Sequence, residues 1–298
     1  MVNLNIELPE SFFLEEERDG YLVSAKMKEL WAVQLDLLNE LDRVCKKHNL
    51  KYVLDFGTLL GAIRHKGFIP WDDDVDVSML REDYDKLMAV AADEFKEPYF
   101  LQTQYTDKNY DDCVAKLRRS DTCCLPKDDM SREPKYNRGI FIDIFVFDHM
   151  PATDQTTIKA LARESQDAYY RLTMLTHFPT FAEGIKFPAK LVRYYLYRLK
   201  YGSAQKEYQR FEQRVKSYKP TGNVGLLMYV FPRWRALSIY DNLIEVPFEN
   251  MMFPAPADYD TVLRISYGDY MTPVQKPSAH TVAFFDASRS YKEVLGYK

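Results

Sequence analysis

The chain has 298 residues, enough for one large domain or for a domain with a substantial appendage. Because 46% of its residues are hydrophobic, we expect a sizeable core. The net charge of −4 is not the strongly basic balance that indicates nucleic-acid binding, so we expect no nucleic-acid partner.

The cellular location is predicted from the apolar runs and the N-terminus. No apolar run approaches the roughly 20 residues of a membrane span. The acidic N-terminus has no signal-peptide core. We therefore expect a cytoplasmic protein.

The four cysteines do not make a disulfide framework in a chain of this length. We expect them to be reduced structural thiols. A zinc site that uses Cys113, Cys123 and Cys124 is the alternative, although their spacing is not a standard one.

The first hundred residues alternate between helical and strand-like patterns. Apolar residues recur at helical spacing from Met27 to Val44, which predicts a long amphipathic helix. The predicted elements are an extended arm at 1–20, a helix at 24–48, a strand at 52–55, a short helix at 58–64, a strand at 75–80 and a helix at 81–95.

The composition changes after Pro151, where helices rich in Tyr, Lys and Arg begin. The predicted elements from 99 onward are strands at 99–104, 113–118 and 139–148, a polar loop at 121–138, helices within 154–218, short strands or loops at 219–257 and a helix at 259–267.

These elements combine helices with strands, and a helical region is added after Pro151. The predicted divisions are a core at 1–150, a helical insertion or acceptor region at 151–257 and a C-terminal segment at 258–298 that returns to the core.

Four aspartates in five residues are the strongest chemical signal. Asp72, Asp73, Asp74 and Asp76 adjoin apolar residues that predict a strand. Since side chains alternate along a strand, Asp72, Asp74 and Asp76 are expected on one face and Asp73 on the other. Carboxylates this close repel one another unless a cation lies between them, and oxygen-rich sites suit Mg²⁺.

Gly57 and Thr58 precede the acids and directly follow an apolar run. A strand, this pair and then a helix leave backbone N–H groups free to bind an anion such as phosphate. A phosphate cradle followed by metal-binding acids is what phosphoryl or nucleotidyl transfer requires. A solvent-exposed acidic turn is the alternative.

Asp143 lies in the middle of the apolar run GIFIDIFVFD at 139–148. A carboxylate among Ile, Phe and Val does not stay ionised without a partner. A metal shared with Asp74 and Asp76 would supply that partner. An ion pair with a buried Arg or Lys is the alternative.

The segment at 185–201 predicts a basic, aromatic amphipathic helix. Lys186, Lys190, Arg193, Tyr197 and Lys200 follow helical spacing along one stripe. Such a helix can lie on an anionic membrane surface, which would give a peripheral membrane contact. It can equally present an ordinary solvated face over a core.

Four stretches of the chain resemble the LicD family of phosphotransferases, whose members include bacterial phosphocholine transferases and the fukutin-related proteins. They are residues 54–64 (LDFGTLLGAIR), 67–76 (GFIPWDDDVD), 139–145 (GIFIDIF) and 267–273 (YGDYMTP). The resemblance covers residues 25 to 150 closely, and the tail from about 258.

The resemblance implies an α+β, nucleotidyltransferase-like fold, in which a mixed sheet is flanked by helices. It also implies transfer of a phospho-substituent, such as phosphocholine, from a CDP-activated donor such as CDP-choline to a sugar hydroxyl of a glycan acceptor. In that pattern Gly57 and Thr58 hold donor phosphate. Asp74 and Asp76 coordinate Mg²⁺ (or Mn²⁺), and Asp143 is the third catalytic and metal-binding carboxylate.

Further side chains are candidates for substrate binding. Arg64, Lys116 and Arg118 could neutralise the remaining phosphate charge. Trp71 or Trp234 could form an aromatic wall for a choline head. Asp269 and His280 lie in the polar tail. The family's tail motif has a second proline after Pro273, where this chain has Val274.

Two other functions use the same residues. One is a nucleotidyltransferase that moves the nucleotide itself onto a sugar, a small molecule or a protein. The other is a non-catalytic binding module of the same fold. The sequence identifies neither the phospho-alcohol nor the acceptor, which could be a lipid-linked glycan, a teichoic acid precursor or a free sugar.

Overall fold

The computed structural model describes residues 1–126, 136–228, 233–275 and 282–296. The predicted α+β class is confirmed: a mixed sheet is flanked by helices, consistent with a nucleotidyltransferase-like fold. Within the described part of the chain, no helix is both long and apolar enough to cross a bilayer.

The α-helices of the described residues lie close to the predicted ones, except for the last, which the sequence analysis does not predict. They are α1 Ala25–His48, α2 Phe56–Arg64, α3 Arg81–Glu94, α4 Gln155–Thr176, α5 Phe187–Tyr201, α6 Ala204–Lys216, α7 Tyr259–Tyr267 and α8 Tyr291–Leu295. Short 3₁₀ turns lie at Glu10–Phe13, Phe181–Lys186 and Leu237–Tyr240.

The strands are mostly short. They are β1 Glu16–Arg18, β2 Tyr21–Val23, β3 Val53–Leu54, β4 Asp76–Leu80, β5 Tyr99–Gln102, β6 Ala115–Arg119, β7 Cys123–Pro126, β8 Ile140–His149, β9 Asn223–Gly225, β10 Trp234–Ala236, β11 Leu243–Phe248, β12 Met251–Pro256 and β13 Val282–Asp286.

Helix α1 begins and ends where its sequence signals predict. The Ser24 hydroxyl accepts the Met27 N–H at 3.1 Å, which caps the first turn. Asn49 ends the helix in the left-handed conformation with φ 52°. The last turn carries Lys46, Lys47 and His48, which favour the negative end of the helix dipole.

The chain divides into two compact units. The first comprises 1–101, 116–145 and 238–298, and the second comprises 102–115 and 146–237. The predicted C-terminal segment 258–298 therefore belongs to the same unit as the N-terminal residues. The boundaries lie at 145 and 237, where the sequence predicts 150 and 257, and the segment 102–115 joins the second unit.

The first unit is built on the sheet that contains β4. Strand β3 pairs antiparallel with β4, with Val53 opposite Ser78. Strand β8 lies on the other side of β4, and β6 pairs with both β8 and β5. Helix α1 supplies much of the core, because Trp31, Leu35 and Leu38 are fully buried. This arrangement places β4 and β8 side by side.

Two features of the first unit differ from the prediction. The loop predicted at 121–138 contains strand β7, which pairs antiparallel with β13 of the C-terminal segment. Because that partner is about 160 residues away in the chain, local pattern does not reveal the strand. The arm predicted at 1–20 ends in a hairpin, in which β1 pairs with β2.

The second unit has its own core between α4 and α6. Leu161 and Leu172 of α4 are buried with Phe211 and Val215 of α6. Strand β9 pairs antiparallel with β10 and with the end of β8. The helical character predicted for 154–218 is therefore present in α4, α5 and α6.

The four cysteines are free thiols, as predicted. Burial raises the pKa of Cys123 to about 11 and that of Cys124 to about 12, so both are protonated near neutral pH. Cys113 belongs to the second unit, whereas Cys123 and Cys124 belong to the first. The zinc alternative remains untested.

A buried charge fastens the N-terminal residues to the sheet. Asp36 of α1 is fully buried and accepts hydrogen bonds from the Arg119 guanidinium and from the Tyr99 hydroxyl, the latter at 2.7 Å. The Asn5 N–H donates to the same carboxylate at 2.5 Å. Several donors therefore compensate one desolvated negative charge.

We predict that Arg119→Ala costs about 3–5 kcal/mol of stability, because it leaves Asp36 buried without its cation. The matched control is Arg43→Ala, which removes a half-exposed guanidinium paired with Glu40 and costs about 1 kcal/mol or less. Urea unfolding followed by circular dichroism measures both, and equal losses would contradict the assignment.

Candidate active site

The acidic loop, residues 72–74, is held by side chains of helix α1. The Trp31 Nε1–H donates to the carbonyl oxygen of Asp72 at 3.0 Å, and the Gln34 amide donates to that of Asp73 at 2.8 Å. The Asp72 N–H donates to Ile69 O at 2.9 Å. Because side chains satisfy these carbonyls, the loop needs no neighbouring strand.

The prediction that the acids lie on a strand is therefore wrong for most of them. Strand β4 begins at Asp76, and Asp72, Asp73 and Asp74 precede it in irregular backbone. The prediction that Asp73 points away is also wrong. Ligand oxygens of Asp72, Asp73 and Asp74 all lie within 4.8 Å of one another, and Asp73 is buried.

Asp76 and Asp143 add two buried carboxylates on adjoining strands. The Asp143 N–H of β8 donates to Val75 O at 2.8 Å, which fixes β8 against the start of β4. Burial, together with the negative charges of Asp74 and Asp143, raises the pKa of Asp76 well above its ordinary value. The structure thus brings Asp74, Asp76 and Asp143 into one electrostatic group.

Lys116 of β6 donates to Asp143 Oδ1 in a buried ion pair. Its ammonium also lies 4.3 Å from the centre of the Phe141 ring. The ion-pair alternative for Asp143 is therefore present. This ion pair does not exclude a metal, because Asp72, Asp73 and Asp74 offer further ligand oxygens, and the metal role of Asp143 stays a prediction.

The start of α2 adjoins the acid group, by which we mean the carboxylates of Asp72, Asp73, Asp74, Asp76 and Asp143. Asp55 caps the helix through the Phe56 N–H at 2.8 Å. The buried Thr58 hydroxyl accepts the Asp76 N–H at 2.8 Å. A Cβ placed on Gly57 would lie 2.7 Å from Asp72 Oδ2, so a larger residue at this position would displace the Asp72 carboxylate. The predicted phosphate cradle and the predicted acids are therefore neighbours.

The predicted arginines have protein partners. Arg64 is half-buried and donates from Nη1 to Tyr270 O of the tail motif at 2.7 Å. Arg118 is buried and donates from Nη1 to Gly139 O at 2.6 Å. Both guanidiniums therefore hold backbone in this structure, and phosphate binding by either one stays a prediction.

The remaining predicted residues lie in different settings. Trp71 directly precedes the acid group and packs edge-on against Tyr21, with ring centres 6.0 Å apart. Asp269 is exposed and accepts the Thr272 hydroxyl at 2.7 Å, which closes the turn after α7. His280 lies outside the described residues.

Some residues of this site are not among the predicted ones. Asp72 and Asp73 are part of the close carboxylate group, and their place in the acidic run was a usable signal. Asp55 adds a further negative charge beside Asp76, and it directly precedes Phe56 and Gly57 in the chain. The contacts of Trp31 and Gln34 have no local signal, because these residues lie about 40 positions before the acids.

Residues 49–182 match the family model described as LicD/FKTN/FKRP, nucleotidyltransferase domain. The chain carries a LicD-family nucleotidyltransferase domain. This LicD domain includes α2, the acidic loop, β4 and β8, and therefore Asp55, the three acids of the loop, Asp76 and Asp143. The predicted family resemblance is confirmed.

One relative is similar over most of both chains. The lipopolysaccharide cholinephosphotransferase LicD of Haemophilus influenzae is 28% identical over 255 residues, which cover 82% of this chain and 91% of the relative. The prediction of a LicD-type phosphotransferase is thereby confirmed at the level of enzyme class.

Two further relatives match shorter stretches. An uncharacterized protein of Rickettsia prowazekii is 38% identical over 92 residues, and one of Rickettsia typhi is 39% identical over 66 residues. These stretches cover 31% and 22% of this chain, and 31% and 21% of the respective relatives.

The donor set of the LicD domain fits a hard divalent cation. The ligands that its acid group offers are carboxylate oxygens. Mg²⁺ and Mn²⁺ prefer such oxygen ligands to the softer nitrogen and sulfur ligands. Burial and the neighbouring carboxylate of Asp74 also raise the pKa of Asp72 well above its ordinary value. Negative charge is therefore in excess where a cation would bind.

The bond between Thr58 and Asp76 yields a stability prediction. Thr58→Val keeps the shape of the side chain but leaves the buried Asp76 N–H without an acceptor, so we expect a loss of about 1–3 kcal/mol. Thr58→Ser retains the hydroxyl and serves as the control. Urea unfolding measures both variants, and equal stability of Thr58→Val and Thr58→Ser would contradict the assigned bond.

Proposed function

We propose that the protein transfers phosphocholine, or a related phospho-alcohol, from a CDP-activated donor such as CDP-choline to a sugar hydroxyl. The acceptor is a cell-surface glycan or its precursor, and the reaction depends on Mg²⁺ or Mn²⁺. The observation that carries this proposal is the close approach of Gly57 at the start of α2 to Asp72 of the acid group.

In this proposal the first turn of α2 binds the donor diphosphate. The N–H groups of Gly57 and Thr58 belong to that turn, and the helix dipole favours an anion there. The carboxylates of Asp74, Asp76 and Asp143 would hold the divalent cation, with Asp72 and Asp73 beside them. A cation bound there would neutralise charge on the phosphoryl oxygens and on the departing CMP.

Asp143 orients the acceptor hydroxyl and receives its proton. Lys116, which is bonded to Asp143 Oδ1, keeps that carboxyl in place. The acceptor oxygen forms a bond to the phosphorus that carries choline. The bond from this phosphorus to the oxygen shared with CMP breaks, and CMP leaves with that electron pair.

The acceptor class is supported by the Haemophilus influenzae relative, which is a lipopolysaccharide cholinephosphotransferase. We propose a cytoplasmic reaction at the inner face of a membrane. A glycan acceptor on a lipid carrier would be met there, which would require the peripheral membrane contact expected from the sequence.

The reaction is tested with purified protein, CDP-choline and MgCl₂, with lipopolysaccharide that lacks phosphocholine as the acceptor. We expect CMP and choline-labelled glycan in equal amounts. Pyrophosphate release from nucleoside triphosphates, without CMP release from CDP-choline, would instead indicate a nucleotidyltransferase. Donor binding without either product would indicate a binding module.

We predict that Asp143→Asn lowers kcat about 10²–10⁴-fold, because the substituted side chain no longer accepts the acceptor proton. Asp93→Asn removes an exposed carboxylate of α3 and is expected to leave kcat unchanged. CMP release measures both rates, and thermal unfolding confirms that each variant is folded. Wild-type kcat in Asp143→Asn would remove this residue from the mechanism.

We also predict that MnCl₂ raises the thermal unfolding midpoint of the wild type. A cation that binds only the folded state contributes about 2.7 kcal/mol at a hundred times its Kd. Asp74→Asn should abolish this shift, and Asp93→Asn should retain it. Equal Mn²⁺ affinity in Asp74→Asn and the wild type would leave the proposal without its metal site.

A further inference from the structure

Helix α5 carries an apolar stripe that faces solvent, formed by Ile185, Val192, Tyr195, Leu196 and Leu199. Their exposed fractions are 97%, 60%, 58%, 60% and 87%, and no residue of α5 is buried. At 100° per residue, the four members within α5 lie in an arc of about 100°. The stripe is therefore one continuous side of the helix.

The opposite side of α5 faces its own unit. Tyr197 packs edge-on against Tyr170 of α4, with ring centres 6.3 Å apart, and Tyr194 packs against Phe178 at 5.1 Å. The Arg193 Nη1–H donates to the Tyr170 hydroxyl at 3.2 Å. Because these contacts already hold α5, the apolar stripe contributes nothing to the core of the second unit.

Positive charge accompanies the apolar stripe. The segment 185–201 contains no acidic residue and five basic ones, which are Lys186, Lys190, Arg193, Arg198 and Lys200. A helix with an exposed apolar side and cations on its flanks matches an anionic bilayer surface. Each Lys or Arg close to such a surface strengthens binding about fivefold.

Charge also argues against a second copy of the chain as the occupant. Two stripes packed against each other would bring five positive charges against five more, with no acid in either segment to compensate them. An anionic lipid surface has the opposite sign and an apolar interior, so it complements both features of the helix.

We infer that α5 binds the surface of an anionic phospholipid bilayer. The helix lies in the plane of the interface along its length of about 22 Å, with the apolar stripe among the acyl chains and the basic side chains at the lipid phosphates. This inference goes beyond the proposed reaction and does not rest on it, because lipid binding is measured without a donor or an acceptor.

The test is flotation of the full chain with vesicles of phosphatidylcholine and phosphatidylglycerol in a 70:30 ratio, and with vesicles of phosphatidylcholine alone. We expect at least tenfold stronger binding to the anionic vesicles, and weaker binding as NaCl rises. The double variant Leu196→Glu/Leu199→Glu should lose at least tenfold in affinity.

A second double variant, Lys186→Gln/Lys200→Gln, removes charge without changing the apolar stripe. It should lower affinity for anionic vesicles about 25-fold, since two charges contribute about fivefold each. The control is Ile265→Glu, an equally drastic change at a 73% exposed position of α7 in the first unit, which should bind as the wild type does. Circular dichroism confirms that every variant is folded.

Three outcomes would overturn the inference. They are absence of wild-type flotation, equal binding to neutral and anionic vesicles, and wild-type binding by both double variants. A dimer in solution that Leu196→Glu/Leu199→Glu separates, without vesicle binding, would assign the apolar stripe to a second copy instead. If the protein floats with anionic vesicles but transfers no phosphocholine, the inferred membrane contact is retained and only the proposed reaction is rejected.

Discussion

Mutual repulsion among carboxylates is the constraint on which the rest of the first unit depends. Ligand oxygens of Asp72, Asp73 and Asp74 crowd within 4.8 Å, and Asp76 and Asp143 add negative charge on the adjoining strands. Such a group is unfavourable by itself, because every carboxylate raises the energy of ionising the others. The surrounding fold must therefore hold the group together, and part of this support comes from contacts to atoms other than the carboxylates.

Those contacts are made to the backbone of the acidic loop and of β4. Trp31 and Gln34 of α1 bond the loop carbonyls, and Thr58 of α2 bonds the N–H of Asp76. These bonds hold the loop through its backbone, with the carboxylate of Asp72 beside the first turn of α2. In the proposed function this is electrostatic preorganisation, since the groups are in place before the cation and the diphosphate arrive.

Whether a structural feature can be predicted from the sequence depends on how far apart its interacting residues lie along the chain. Local periodicity and caps predict α1, α3, α7 and β8 closely, because those signals lie within the elements themselves. The conformation of the acidic loop cannot be predicted in this way, because its carbonyls are bonded by side chains of a distant helix. The β7–β13 pairing and the contact between Lys116 and Asp143 are non-local for the same reason. The motif residues were predictable as a set, but their catalytic roles stay predictions.

The turn between β11 and β12 contacts the segment just before the acidic loop, although it lies about 180 residues further along the chain. Glu249 accepts the Phe68 N–H at 3.0 Å and two nitrogens of Arg18, and Tyr270 O accepts from Arg64. A ribosome that has synthesised every acid of the site has therefore not yet delivered the groups that anchor both ends of residues 64–68. The candidate site of the nascent chain can therefore be completed only after Tyr270 has been synthesised, so premature termination between the LicD domain and Tyr270 would still yield an unfinished site.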